Sequence, residues 1–167
     1  MLFHVSEEPG IRRFEPRPAA KLERPVAWAI DAQKLRNYLL RRDCPRVTFF
    51  AGPHTSADDV ERFLGASPAV VAVESAWLDR IRAARLFCYV LPDDSFRCVD
   101  ACAGYYHSHE PVVPLRVDAI ADALGAIVAS GAELRVMPTL WPLRDAVIAS
   151  TLEFSIIRIQ NAAPRPS

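Results

Sequence analysis

Proline punctuates this chain too closely for any fold built on long elements. The sequence holds fourteen prolines in 167 residues, and Pro9, Pro16, Pro18, Pro25, Pro45, Pro53, Pro68, Pro92, Pro111, Pro114, Pro138 and Pro142 fall at the edges of apolar runs. Each fixes its own φ and removes a backbone donor. The chain between them is therefore restricted to short strands and short helices.

The patterns between the prolines predict those elements. Leu2 to Val5, Pro25 to Ile30, Val47 to Phe50, Ala69 to Val73, Leu86 to Leu91, Phe96 to Ala101, Glu133 to Met137 and Leu152 to Ile159 read as strands, being β-branched, aromatic or alternating. Asp31 stands where an N-cap would, ahead of a helix over 32–42, and further helices are predicted near 56–65, after Ser75 and over 143–149. The longest apolar stripe, Val117, Ile120, Ala121, Leu124, Ile127 and Val128, predicts a helix over 117–129 stopped by Gly131. Short strands mixed with about four helices, without a βαβ rhythm, indicate a compact α+β domain with largely antiparallel pairing. A single domain over 1–161 with a frayed tail at 162–167 follows from the length.

Composition narrows the function classes. Just over half the residues are hydrophobic, and twenty basic residues balance twenty acidic ones, so no polyelectrolyte signature for nucleic acid is present. Arg12, Arg13 and Arg17 form one local basic cluster, and Arg36, Arg41, Arg42 and Arg46 another. Neither a secretory signal nor an apolar run near the ~20 residues of a membrane span occurs. A cytoplasmic protein with four reduced thiols, at Cys44, Cys88, Cys98 and Cys102, is expected.

Two segments concentrate candidate chemistry. His4 and Ser6 are two apart on a strand, so they point to one face and offer a pair of polar groups to one ligand; the alternative is an edge strand with satisfied polar groups. Gly104-Tyr105-Tyr106-His107-Ser108-His109-Glu110-Pro111 combines tyrosines, which stack and hydrogen-bond, with Glu110 as a possible base or orienter of a hydroxyl. The alternative is a solvated loop with one core tyrosine. A metal-dependent enzyme on Cys98, Cys102, His107 and His109 is a weaker reading, because Cys-x3-Cys lacks the usual knuckle spacing; no metal is expected. Arg144 and Asp145, in the first turn of the helix after Leu140-Trp141-Pro142, read as a structural ion pair. Ser150 and Thr151 read as caps or turn residues, and Asp58 and Asp59 as solvated first-turn residues.

The order of these motifs carries a resemblance. The opening strand Leu2-Phe3-His4-Val5-Ser6, then Phe14-Glu15-Pro16, then Val26-Ala27-Trp28-Ala29-Ile30-Asp31 leading to a helix, resembles the start of ADP-ribosyltransferase-like domains. That resemblance implies a split pair of sheets with NAD bound in a cleft. It implies His4 and Ser6 on the nicotinamide ribose, and Trp28 with Tyr105 or Tyr106 flanking the nicotinamide. Ser108 would line the same site, Arg12, Arg13 or Arg17 would meet the pyrophosphate, and Glu110 would stabilise the oxocarbenium-like state as nicotinamide leaves. The implied activity is an NAD-dependent transferase or glycohydrolase with an unspecified small-molecule or macromolecular acceptor. The alternative is a non-catalytic nucleotide or small-molecule binding module. Nearly the whole chain, through His4-Val5-Ser6-Glu7-Glu8 and Leu140-Trp141-Pro142-Leu143-Arg144-Asp145, is also similar to a bacterial domain family of unknown function, numbered 6886.

Overall fold

In the computed structural model, which describes residues 1–19 and 22–165, the runs between prolines form ten strands and four α-helices among the described residues. In chain order they are β1 (Leu2–Ser6), β2 (Ala27–Ile30), β3 (Arg46–Phe50), α1 (Ala57–Asp59), β4 (Ala69–Glu74), α2 (Leu78–Arg82), β5 (Leu86–Leu91), β6 (Arg97–Asp100), β7 (Tyr105–Ser108), β8 (Arg116–Ile120), α3 (Ala123–Ala129), β9 (Glu133–Met137), α4 (Trp141–Ile148) and β10 (Glu153–Ile157). A π turn over Val60–Leu64 continues α1, and Leu35–Tyr38, Ser75–Trp77 and Ile159–Asn161 are 3-10 turns. The α+β expectation, with short and mostly antiparallel strands, is met.

The elements group into two units. The first comprises Met1–Tyr38 and Arg85–Ala121, and the second Leu39–Ala84 and Asp122–Ser167, of which Pro166 and Ser167, the end of the expected 162–167 tail, lie outside the described residues.

The first unit is a six-stranded antiparallel sheet in the order β6-β7-β2-β1-β5-β8. Opposed residues share a face in such a sheet, so its registers sort every side chain. His4 pairs with Tyr89, Ala29 with Tyr106, and Ala27 with Ser108. These residues face one way with Leu2, Ser6 and Leu91. Trp28 pairs with His107, and His107 with Arg97, so these three face the other way. The His4 face is roofed by Phe14, Ile11, Phe96 and Val112, which pack with Leu2, Ala29, Tyr89 and Leu91 as one apolar cluster.

The second unit is a four-stranded sheet in the order β10-β3-β4-β9, parallel only between β4 and β9. Val47, Phe49, Val70 and Ala72 pack against Phe63 and Leu64 of the π turn and against Leu140, Leu143 and Val147 at α4. All ten strand residues of Ala69–Val73 and Arg46–Phe50 are buried, as a central β3–β4 pair covered on both faces requires.

The structure corrects the reading of 117–129 as one helix. Residues 116–120 are β8, paired with β5 through five successive positions, and the helix begins only at Ala123, where the Asp122 side chain accepts the Gly125 N–H at 2.9 Å. Val117 and Ile120 fit helical spacing by coincidence. The 32–42 helix likewise reduces to a 3-10 turn over Leu35–Tyr38, and the Asp31 Oδ1, accepting the Lys34 N–H at 2.8 Å, closes the turn just ahead of it. The closing strand ends at Ile157, because Arg158 takes the left-handed conformation at φ 54°.

One buried carboxylate organises the end of the second unit. Glu74 is 1% exposed; its Oε1 accepts the Leu140 N–H at 3.1 Å and its Oε2 the Ala163 N–H at 2.9 Å. The Trp141 indole donates to the Ala163 carbonyl at 2.7 Å, and Arg165 pairs with Asp145 at 2.5 Å. A carboxyl group so buried is tolerated because it accepts two backbone donors, one at the start of α4 and one at Ala163. Glu74→Ala is expected to cost about 2–4 kcal/mol by urea denaturation, since two backbone donors lose their acceptor, and Glu74→Gln less. An unchanged midpoint in Glu74→Ala would contradict this role.

Candidate functional site

On the exposed end of the Trp28 face, three adjacent strands contribute one residue each to a single row. Trp28 on β2 lies opposite His107 on β7, which lies opposite Arg97 on β6. At about 4.8 Å between strands, the row places an indole, an imidazole and a guanidinium across about 10 Å. Trp28 is 38% exposed, and Arg97 is exposed and forms no ion pair among the described residues.

Further rings flank the row. Tyr105 meets Trp28 edge-on at 5.8 Å and Tyr38 at 5.8 Å, while His107 is 6.0 Å from Trp28 and 4.8 Å from His109. Gly104, just before Tyr105, packs closely against the turn after Asp31. It has φ 68°, and a Cβ there would lie 2.5 Å from the Lys34 side chain and 2.8 Å from Asp31, whose N–H donates to the Gly104 carbonyl. Only glycine accepts both conditions cheaply.

The imidazoles are not equivalent. His109 donates from Nδ1 to the Pro25 carbonyl at 3.0 Å. The Nδ1 of His107 is buried and has no hydrogen-bond partner among the described residues. Burial first, and the neighbouring His109 second, hold His107 below the ordinary imidazole value of 6.5. The folded state thus favours neutral His107, whereas the unfolded chain takes up the proton at the ordinary value. Below that value the unfolded state binds more protons, so this group's contribution to stability falls as pH drops through it. An NMR titration is expected to show His107 with a midpoint below 6.5, rising in His109→Ala. A midpoint at or above 6.5 would contradict the assignment.

The residues expected to form an NAD site divide between the two faces. His4, Ser6, Tyr106 and Ser108 share one face in two adjacent rows, and Trp28 and Tyr105 are on the other. Much of the first group is engaged within the fold. His4 donates from Nδ1 to the Trp28 carbonyl at 2.9 Å and its ring lies 4.8 Å from Phe14. Ser6 Oγ accepts the Glu8 N–H, and Ser108 Oγ accepts the Glu110 N–H, each at 3.0 Å, the same hydroxyl turn at two strand ends. Tyr106 faces Cys98 across the strands, and that thiol, ahead of burial, raises its phenol. Glu110 is exposed beyond β7, and Arg12 and Arg17 are exposed on the segment after β1.

The remaining candidates resolve as structural. Among the described residues no three His, Cys, Asp or Glu side chains gather to hold a metal ion, so Cys98 and Cys102 do not join His107 and His109. Arg144 pairs with Asp145 at 2.7 Å, as expected. Thr151 donates to Asp59 from its hydroxyl at 2.5 Å and its backbone at 2.7 Å, which holds that carboxyl below its ordinary range. Burial pushes Cys44 up to about 12 and Cys88 up to about 11, leaving both as inert thiols. Arg97 and Tyr38 were not singled out by sequence. Only the pairing of β6 with β7 and the turn after Asp31 bring them to the row.

Fold and site together define an α+β protein whose six-stranded sheet displays an aromatic and basic row on one face. The chain belongs to a family of unknown function (DUF6886), whose model matches residues 3–162. No curated protein and no solved structure matches it. No helix among the described residues is long and apolar enough to cross a membrane.

Proposed function

We propose that this protein binds a mononucleotide-class ligand on the Trp28 face, the base stacking on Trp28 and Tyr105 and the phosphate meeting Arg97 beside His107. The observation that carries this reading is the Trp28–His107–Arg97 row. An indole face accepts any planar base, and a guanidinium two strands away accepts a phosphate in bidentate fashion. Cytoplasmic residence is part of the proposal, since Cys98 is an exposed thiol suited to a reducing compartment.

A second reading keeps NAD turnover on the ADP-ribosyltransferase pattern. It draws on His4, Ser6, Tyr106 and Ser108 sharing a face, and it assigns Glu110 to the transition state. Phe14, Ile11 and Val112 cover that face, and the two serines are committed to turns, so binding without turnover is the better supported of the two.

Calorimetric titration with AMP, nicotinamide mononucleotide and NAD tests the first reading. Binding of at least one is expected, weakened about tenfold to a hundredfold by Trp28→Ala and about tenfold by Arg97→Ala, in line with one stacked base and one charge-assisted contact. No binding at millimolar ligand, or a Trp28→Ala variant that binds as the parent does, would overturn it. Nicotinamide released from NAD over hours, and lost in Glu110→Gln, would favour the second reading instead.

A further inference from the structure

The two outer strands of the six-stranded sheet differ in how they end it. β6 is exposed at all four positions, but its pairing with β7 shifts between Cys98 and Asp100. Such an irregularity twists an edge and blunts it against further strand addition. β8 is exposed from Arg116 to Ala119 and pairs with β5 from Leu86↔Ile120 to Val90↔Arg116 without any shift. It is a regular edge whose approach is apolar, with Val113 61%, Leu115 61% and Val117 46% exposed. The outer strands of the other sheet, β9 and β10, are mostly half-buried.

The charges on β8 select what can pair with it. Arg116 and Asp118 flank Val117 on one face, linked at 2.9 Å with their side chains 62% and 53% exposed. An Arg-x-Asp triplet is self-complementary when run antiparallel. A two-fold axis at Val117 sets each Arg116 opposite the other copy's Asp118, Val117 opposite Val117, and Leu115 opposite Ala119. Opposite charges directly across a strand pair stabilise it, and like charges oppose it.

We propose that β8 is a homodimerisation edge, joining two copies of this chain antiparallel about Val117 into one continuous sheet. The symmetry closes after two copies, because both β8 edges are consumed and the blunted β6 edges remain outside. This assembly is independent of the nucleotide proposal, which uses the opposite end of the sheet.

Sedimentation velocity over a concentration series, with thermal unfolding of every variant as the control for folding, tests it. The parent chain is expected to shift from monomer towards dimer as concentration rises. Asp118→Arg and Arg116→Asp should each be monomeric, because each sets like charges across the axis. An equimolar mixture of the two variants should associate again, since Asp-Val-Asp in one chain then faces Arg-Val-Arg in the other. Neither variant regains the intrachain pair in that mixture, so a merely structural role for Arg116 and Asp118 predicts no rescue. A parent chain that stays monomeric throughout, or a mixture no more associated than its components, would overturn the proposal.

Discussion

The Tyr89 hydroxyl decides which side of the six-stranded sheet is available to a ligand. Its ring is fully buried beside β1, and the hydroxyl donates to the Glu8 carbonyl at 2.8 Å while accepting the Ile11 N–H at 3.0 Å. The segment after β1 is thereby held down on the sheet, which brings Phe14 edge-on to Tyr89 at 5.2 Å and against His4. A buried phenol needs such partners, and here they are backbone groups of the loop it secures. Once the His4 face carries that roof, the chemistry left at the surface is the row on the reverse side.

Strand alternation explains why the site is only partly legible in the sequence. His4 and Trp28 occupy plausible places in linear order, but their strands pair so that His4 lies opposite Ala29 and Val5 opposite Trp28. Nothing in composition or periodicity fixes that register, and a shift of one residue would have put both on one face. Arg97 was hidden for a related reason: an arginine in a short exposed strand reads as a solvated charge until the partner strand sets it beside His107. Tyr105, His107 and His109 were visible as a dense segment, and the structure sets Tyr105 and His107 each against Trp28 and His107 against His109.

The fold itself was more open to reading, because short elements bounded by proline leave few alternatives. Leu86–Leu91 and Glu133–Met137 are strands with the bounds their patterns predict. The failure over 117–129 came from a sequence satisfying two periods at once: β8 runs into a helix capped by Asp122, with no proline or glycine between them. Leu140-Trp141-Pro142-Leu143-Arg144-Asp145 shows the converse. Its functional look dissolves in the structure, where Trp141, Asp145 and the Leu140 amide hold residues 163–165 and the Glu74 carboxylate. Polar groups consumed in this way stabilise the unit and leave little for a ligand.

The central claim is that ligand chemistry belongs to the Trp28 face and not to the His4 face. The most direct measurement follows the ring resonances of His4, His107 and His109 by NMR while AMP or nicotinamide mononucleotide is added. The account predicts that His107 moves first and furthest, with an upward shift of its midpoint as phosphate approaches, while His4 stays in place beneath Phe14. Movement of His4 with a stationary His107 would contradict it and return the site to the face that Tyr89 closes.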